Sequence, residues 1–251
     1  KRQVHTAITF AAISGVVMAL IGVLMAKPAL ELMGTPDDVI NLSTLYMRIY
    51  FLGMPFFMLY NYGAAVLRAV GDTKRPLMFL MAAGIINACL NMVLVIVFNL
   101  GVAGVAIATI FSQFISCVLV LRCLNKTDTS YQLRFSKLKI KGYYLKQIFQ
   151  VGIPAGIQST VINFSNALLQ SSVNSFGSTA MAGYTAANNI LGFLYASINS
   201  VTQACMSFTS QNYGVRKFKR MDKVLIDCAI LSVGALSLIH ISEPTRPRLI
   251  S

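Results

Sequence analysis

Hydrophobic and polar positions alternate along this chain on the scale of whole helices rather than single residues. Seven long apolar runs are separated by short polar segments: Ala7–Ala26, Val39–Leu67, Leu77–Phe98, Val102–Leu121, Ile148–Phe176, Ala180–Phe208 and the shorter Val224–Ile241. A bilayer crossing needs about 20 mainly apolar residues. Runs this long and this continuously apolar predict membrane-spanning helices rather than barrel strands. The expected fold is an all-α integral membrane protein, a polytopic helical bundle of about seven transmembrane helices.

The segments between the runs sort by charge. Every second segment is basic: Lys1 and Arg2; Arg68, Lys74 and Arg75; Arg122 through Lys146; Arg216 through Lys223. The segments between them hold Lys27, Glu31, Asp37 and Asp38, then the uncharged Asn99–Gly101 and Gly177–Thr179. Seventeen of the 21 Lys and Arg residues fall in the first class. Basic loops stay on the cytoplasmic side, so the expected placement is the inner (plasma) membrane, multi-pass, with the basic loops cytoplasmic. A missed or invented helix would have mixed the two classes. The longest segment, Arg122–Gln147, interleaves Leu133, Phe135, Leu138 and Ile140 with Lys137, Lys139 and Lys141. It reads as a linker on the anionic inner leaflet, a topological anchor with lipid sensing as the alternative.

Polar side chains inside the runs are costly at bilayer depth and usually face a bundle interior or a cavity. On the Ile148–Phe176 run, Ser159, Asn163, Asn166, Gln170 and Asn174 recur at helical spacing and share one face. Thr185, Asn188, Tyr195, Asn199 and Gln203 do the same on the next run. A shorter stripe comprises Thr109, Ser112, Gln113 and Ser116, and Asn87 and Asn91 lie one turn apart on the run before it. Any one of these residues reads first as interhelical glue, worth about 0.6 kcal/mol per hydrogen bond. Two amide-rich stripes on consecutive helices read as the lining of a pathway, because neighbours cannot satisfy so many amides in hydrocarbon. The pathway candidates are therefore Asn163, Asn166, Gln170, Asn174, Asn188, Tyr195, Asn199 and Gln203. Pro55, two residues after Gly53, and Pro154 are hinge candidates, with a static kink as the alternative. Arg48 is expected to snorkel or to pair with an acid such as Glu31. Asp227 is expected to pair with Lys223.

Composition narrows the function. Hydrophobic residues are 56% and charged residues 12% of the 251, with mean hydropathy +0.67; a soluble domain carries about a quarter charged residues. The net charge of +13 sits in short loops without the aromatic-interleaved basic face of a nucleic-acid groove, so nucleic acid is not an expected partner. The partners expected are the lipid bilayer and a small amphiphilic solute. Cys89, Cys117, Cys123, Cys205 and Cys228 lie in or beside apolar runs with no CxxC pair, and read as small packing residues. Between Leu77 and Phe208 no run carries Asp, Glu or His at depth, and no acid–histidine, Cys–His or metal set supports a membrane-embedded enzyme. No catalytic residue, cofactor or metal site is expected from these residues.

The turn Leu67-Arg68-Ala69-Val70-Gly71-Asp72-Thr73-Lys74-Arg75-Pro76 resembles the loop signature that follows the fourth helix of multidrug and toxic compound extrusion (MATE) transporters. Tyr46-Met47-Arg48-Ile49 with Gly53-Met54-Pro55 is similar to the same family's pattern. So are Gly101 through Thr109 with Ser112-Gln113, Gly152-Ile153-Pro154, Phe176-Gly177-Ser178, and Gln211-Asn212-Tyr213-Gly214. The resemblance implies a twelve-helix exporter of two six-helix lobes, monomeric when full length, expelling cationic compounds by Na+ or H+ antiport with alternating access. This chain would supply helices three to nine: residues 1–124 as the end of the first lobe, 125–147 as the basic linker and 148–235 as the start of the second. Lys219-Arg220 with Ala229 and Ser232 repeats Lys1-Arg2 with Ala11 and Ser14, as a lobe repeat requires. One branch of the family binds its cation through an acid on helix one, an Asn, an Asp four residues later and a Thr on the next helix. Asn87, Asn91 and Thr109 occupy the last three positions, with Asn91 replacing the Asp. The other branch carries an acid near Ile162, and none is present here. A lipid-linked oligosaccharide flippase of the same superfamily is the alternative function, disfavoured by the neutral stripes. Lys1 in place of an initiator Met suggests an upstream start, and residues 236–251 read as translated sequencing adapter, a non-native tail.

Overall fold

The computed structural model describes residues 2–32, 37–127, 131–174 and 178–242, and among them the regular elements are helical. In order these are α1 (Arg2–Leu32), α2 (Asp37–Leu52), α3 (Met54–Ala69), α4 (Lys74–Met92) with a π-helical extension (Val93–Val97), α5 (Gly101–Lys126), a short 3-10 turn (Phe135–Lys137), α6 (Gly142–Asn174), α7 (Ser178–Gly214) and α8 (Phe218–Ser242). The chain falls into two units, Lys1–Gly152 and Ile153–Ser251. Among the described residues, Gln3–Leu32, Lys74–Val97 and Gly101–Lys126 are long and apolar enough to cross a membrane, as is the bent pair Ile40–Leu52 with Met54–Ala69. Helices α6, α7 and α8 run 33, 37 and 25 residues, long enough to cross a bilayer, and extend past the apolar runs that predicted them. Leu24, Ile85, Val97, Val151 and Ile230 stand exposed on their helices. Apolar side chains spread over so many outer faces need lipid rather than water around them.

In the first unit, α1 packs on α2 and α3, while α2, α3 and α4 pack on α5. Its core gathers at the end that carries Arg68, Lys74 and Arg75. There Ile8, Tyr60, Ala64, Leu67, Cys117, Val120 and Leu124 meet with Leu133 from beyond α5. The Tyr60 hydroxyl donates to the Pro76 carbonyl at 3.1 Å, pinning the α3–α4 corner to this core. Gly71 turns that corner at φ 91°, a left-handed conformation that only glycine adopts cheaply. The Asp72 N–H returns to the Leu67 carbonyl at 3.0 Å. The Asp72 carboxylate accepts the Arg75 N–H at 3.1 Å and pairs with the Arg75 guanidinium at 3.3 Å. It thereby satisfies a first-turn donor of α4. The Arg68–Pro76 motif is thus a rigid corner built from its own residues.

The run Val39–Leu67 is not one helix. It breaks at Gly53 and bends by 45°, and Pro55 stands in the first turn of α3, where its missing N–H removes no helical bond. Helix α1 crosses this break closely: a Cβ on Gly15 would lie 2.6 Å from the Pro55 Cα. Pro154, by contrast, lies inside an unbroken α6. The described part of the second unit shows α7 packed on α8. Cys205 and Cys228 line a cavity of about 230 Å³ between them, with Thr202 and Ser232.

Three expectations change. Glu31 pairs with Lys27 at 3.8 Å, one turn away on its own helix, so of the two readings of Arg48 the pairing with Glu31 falls, while its exposed side chain leaves snorkelling in place. Lys223 and Asp227 make no salt bridge among the described residues; both point outward from α8. The linker is shorter than residues 125–147, since α5 continues through Lys126 and α6 begins at Gly142. Part of it is docked rather than lying free: Leu133 is fully buried. Gly177, Asp128 and most of the suspected tail, residues 243–251, lie outside the described residues.

Candidate functional site

The two sets of polar residues behave differently. On α4, Asn87 and Asn91 share a face one turn apart, and the Asn91 amide donates to Asn87 Oδ1 at 3.1 Å. The Asn87 amide donates to Ser112 Oγ on α5 at 3.4 Å, and the Ser112 hydroxyl donates to the Thr109 carbonyl at 2.8 Å. A polarised chain of side chains therefore joins α4 to α5. Thr109 enters it through its backbone only, because its hydroxyl donates to Val105 in the turn below at 2.9 Å. The Thr109 side chain instead lines a small cavity of about 10 Å³, close to the volume of one water, with Tyr50, Gly53, Phe57 and Gln113.

Four buried side-chain oxygens have no partner among the described residues: Asn91 Oδ1, Gln113 Oε1, Ser116 Oγ and Thr44 Oγ1. Unpartnered polar atoms at this depth cost free energy, which makes Asn91 and Gln113 the acceptors most open to a ligand or water. Gln113 and Ser116 were already visible in the sequence as part of the Thr109 stripe. The π-helical turn after Asn91 was not, since Val93-Leu94-Val95-Ile96-Val97 reads as an ordinary apolar run. Such turns recur beside functional residues. For a hard cation, which prefers carboxylate, carbonyl and water oxygens, the trio Asn87, Asn91 and Thr109 presents one unpartnered oxygen, Asn91 Oδ1, and no negative charge. The fit is partial.

On α6 and α7 the stripes remain open. Asn163, Asn166, Asn188, Tyr195, Asn199 and Gln203 are all exposed. No side-chain hydrogen bond joins the described members of one stripe to those of the other, whereas neighbouring hydroxyls such as Thr160 and Ser165 turn back onto their own helix carbonyls. Among the described residues the two stripes are not joined to each other. The side chains of Gln170, Asn174 and Thr185 lie outside the described residues. A third cavity, about 140 Å³ and lined by Met18, Met25, Met47 and Phe51 among others, opens between α1 and α2; it is apolar, and its flexible thioethers adapt to varied shapes.

A family model described as MatE matches residues 1–93 and 154–250. Asn87, Asn91 and both α6–α7 stripes fall within the matched segments, and Thr109 does not. The chain is 33% identical over 234 residues to "Probable multidrug resistance protein YoeA" of Bacillus subtilis (strain 168), covering 90% of this chain and 50% of that protein. It is also 33% identical over 201 residues to "Probable multidrug resistance protein YpnP" of the same organism, covering 80% and 44%. Its fold matches the crystal structure of the Vibrio cholerae MATE transporter VcmN with a TM-score of 0.85 at 22% identity, over 96% of this chain and 55% of that one. The chain spans about half the length of the curated relatives it matches. From the matched segments, the identity to YoeA and the all-helical, lipid-facing architecture, the conclusion is that this chain belongs to the MatE family of multidrug and toxic compound extrusion transporters.

Proposed function

We propose that this chain forms part of a secondary active exporter of the inner membrane, its basic loops cytoplasmic, which exchanges amphiphilic or cationic compounds for Na+ or H+ by alternating opening of two lobes. The observation that carries the reading is the pair of exposed, uncharged amide stripes on α6 and α7. At bilayer depth an amide belongs against a partner helix or on a wet surface, and two such stripes on consecutive helices favour the wet surface. Neutral amides also bind varied cations and amphiphiles without fixing one charge pattern, and adaptable surfaces of this kind suit promiscuous recognition. Asn163 and Asn166 on α6 and Asn188, Tyr195, Asn199 and Gln203 on α7 are the proposed lining, and Gln170 and Asn174 follow Asn166 at helical spacing in the sequence.

The coupling ion would enter near Asn91 Oδ1, with Asn87 holding the Asn91 amide in place and Thr109 on the adjoining turn. Because these groups are neutral, the charge that binds and releases the ion has to come from another part of the full-length transporter. Pro55 and Pro154 are the proposed bending points, the first at a helix break bent by 45° and the second inside the continuous α6.

The test is efflux. The full-length native gene is expressed in a pump-deficient host, and export of a cationic dye and drug resistance are measured with and without Na+. Export that depends on the ion gradient is expected. No export of any cationic dye, together with movement of a labelled lipid-linked oligosaccharide, would replace this reading with the flippase.

A further inference from the structure

The segment after α5 is held by one edge. Leu133 is fully buried in the core of the first unit, and its N–H donates to the Leu124 carbonyl at 3.0 Å. The next N–H, of Arg134, donates to His5 Nε2 at 3.1 Å, and Thr6 Oγ1 accepts the Lys141 N–H at 3.3 Å while its hydroxyl lies 3.3 Å from the Lys139 carbonyl. His5 and Thr6 are both buried at the start of α1. Beyond the Leu133 side chain, the hydrogen bonds to His5 and Thr6 use backbone groups of Arg134, Lys139 and Lys141, which leaves those three side chains out of the contact. Phe135, Leu138 and Ile140 stand exposed between the exposed cations Arg134, Lys139 and Lys141, and Tyr143 follows, 70% exposed. No acid occurs between Tyr131 and Lys146.

Apolar side chains interleaved with cations on one exposed ribbon suit neither bulk water nor hydrocarbon. They suit the boundary between them, where rings and aliphatic chains enter the acyl region and ammonium groups meet phosphate. The only charge on the ribbon is positive, which selects an anionic surface. We propose that residues 134–141 form a docking surface for anionic phospholipid headgroups, presented at a fixed height because the opposite edge is pinned to α1 through His5 and Thr6. Headgroup binding there ties the first turn of α1 to the leaflet. The proposal rests on the reading that the basic loops lie at the cytoplasmic leaflet.

The chain contains no tryptophan, so Phe135→Trp installs a reporter on the ribbon. The full-length transporter carrying it, with any tryptophan elsewhere replaced by phenylalanine, is placed in vesicles of mixed phosphatidylglycerol and phosphatidylcholine. Bromine is carried on the acyl chains of one lipid or the other at equal content. Brominated phosphatidylglycerol is expected to quench the indole more strongly than brominated phosphatidylcholine. Each Lys or Arg near an anionic surface favours it about fivefold, so Lys139→Gln with Lys141→Gln should lower the enrichment on the order of twentyfold. The latch uses the backbone of both lysines, so this double variant keeps it. Equal quenching by the two lipids, or a preference that survives the double variant, overturns the proposal. Absence of quenching by either lipid overturns it in favour of an aqueous or protein partner. Dye export measured on the same vesicles separates a failed transport reading from a failed docking surface.

Discussion

The two units of this chain use the same amino acids to opposite ends. In Lys1–Gly152, polar side chains are drawn inward and joined: Asn91 to Asn87, Asn87 to Ser112, Tyr60 to Pro76, Thr6 and His5 to the segment beyond α5. In Ile153–Ser251, the described stripe amides Asn163, Asn166, Asn188, Asn199 and Gln203 are exposed, and packing is concentrated where α7 meets α8. Amide content alone therefore does not separate glue from pathway. What separates them is whether a small residue lets a neighbouring helix come close enough to claim the amide. The first unit has such residues at its crossings: Gly15 lies against Pro55 and Gly63 against Val120, whereas in the second unit a Cβ on Gly156 or Gly183 would meet nothing within 4 Å.

The largest effect should come from the α7–α8 interface. Cys205 on α7 and Cys228 on α8 line one cavity. Mild oxidation of membrane vesicles with copper phenanthroline should remove both from maleimide labelling together, reversibly with reductant. Copper(II) takes up the two electrons as the S–S bond forms and two protons leave. Closing a loop of this size stabilises by about 3 kcal/mol, so the oxidised protein should unfold at higher temperature. Cys228→Ala should restore labelling of Cys205. If Cys205 is protected even then, the two helices do not meet as described.

Next in size is a pair of identical substitutions with opposite signs. Gly15→Ala places a Cβ within 2.6 Å of the Pro55 backbone, which cannot retreat like a flexible side chain; about 1–3 kcal/mol of destabilisation is expected. Gly156→Ala meets open space in the middle of α6 and should stabilise by roughly 0.5–1 kcal/mol through backbone entropy. Thermal unfolding in detergent micelles reads both. Equal shifts in the same direction would mean that the close crossing at the Gly53 break is absent.

Much of this was legible before any coordinates. The apolar runs and the alternation of basic segments could be read directly, because lipid and leaflet act on each segment by its own composition. The Gly53–Pro55 break and the Asn87–Asn91 contact follow from local rules of helix geometry. Other features depend on residues far apart in the chain. The latch joins Thr6 to Lys141 and His5 to Arg134, separations of 135 and 129 residues, and nothing in a Leu133 flanked by charges marks it as a core residue. Glu31 had two cations to choose from, and the one on its own helix wins because a single turn holds Lys27 in reach while Arg48 lies far along another helix. The candidate cation site was legible as a set of residue types but not as a geometry. The Ser112 bridge and the Thr109 hydroxyl turned to Val105 are decided by α4–α5 packing.

The smallest effect is the one that bears most directly on function. Asn87→Leu removes the hydrogen bond to Ser112 and the acceptor of the Asn91 amide. As glue, each bond is worth about 0.6 kcal/mol, so a loss of about 1 kcal/mol and a matching fall in protein abundance are expected. Asn163→Leu breaks no side-chain bond among the described residues, and should leave abundance and unfolding temperature unchanged within about 0.5 kcal/mol. If the α6 stripe is a solute surface, that same substitution nonetheless alters which compounds the full-length transporter exports, because a leucine there desolvates poorly against a polar or cationic group. Resistance profiles against a panel of cationic and neutral drugs, normalised to protein in the membrane, read the difference. An Asn163→Leu protein that loses abundance as Asn87→Leu does, with an unchanged drug profile, would show that the stripe is buried by a neighbouring helix and that both units use their amides in the same way.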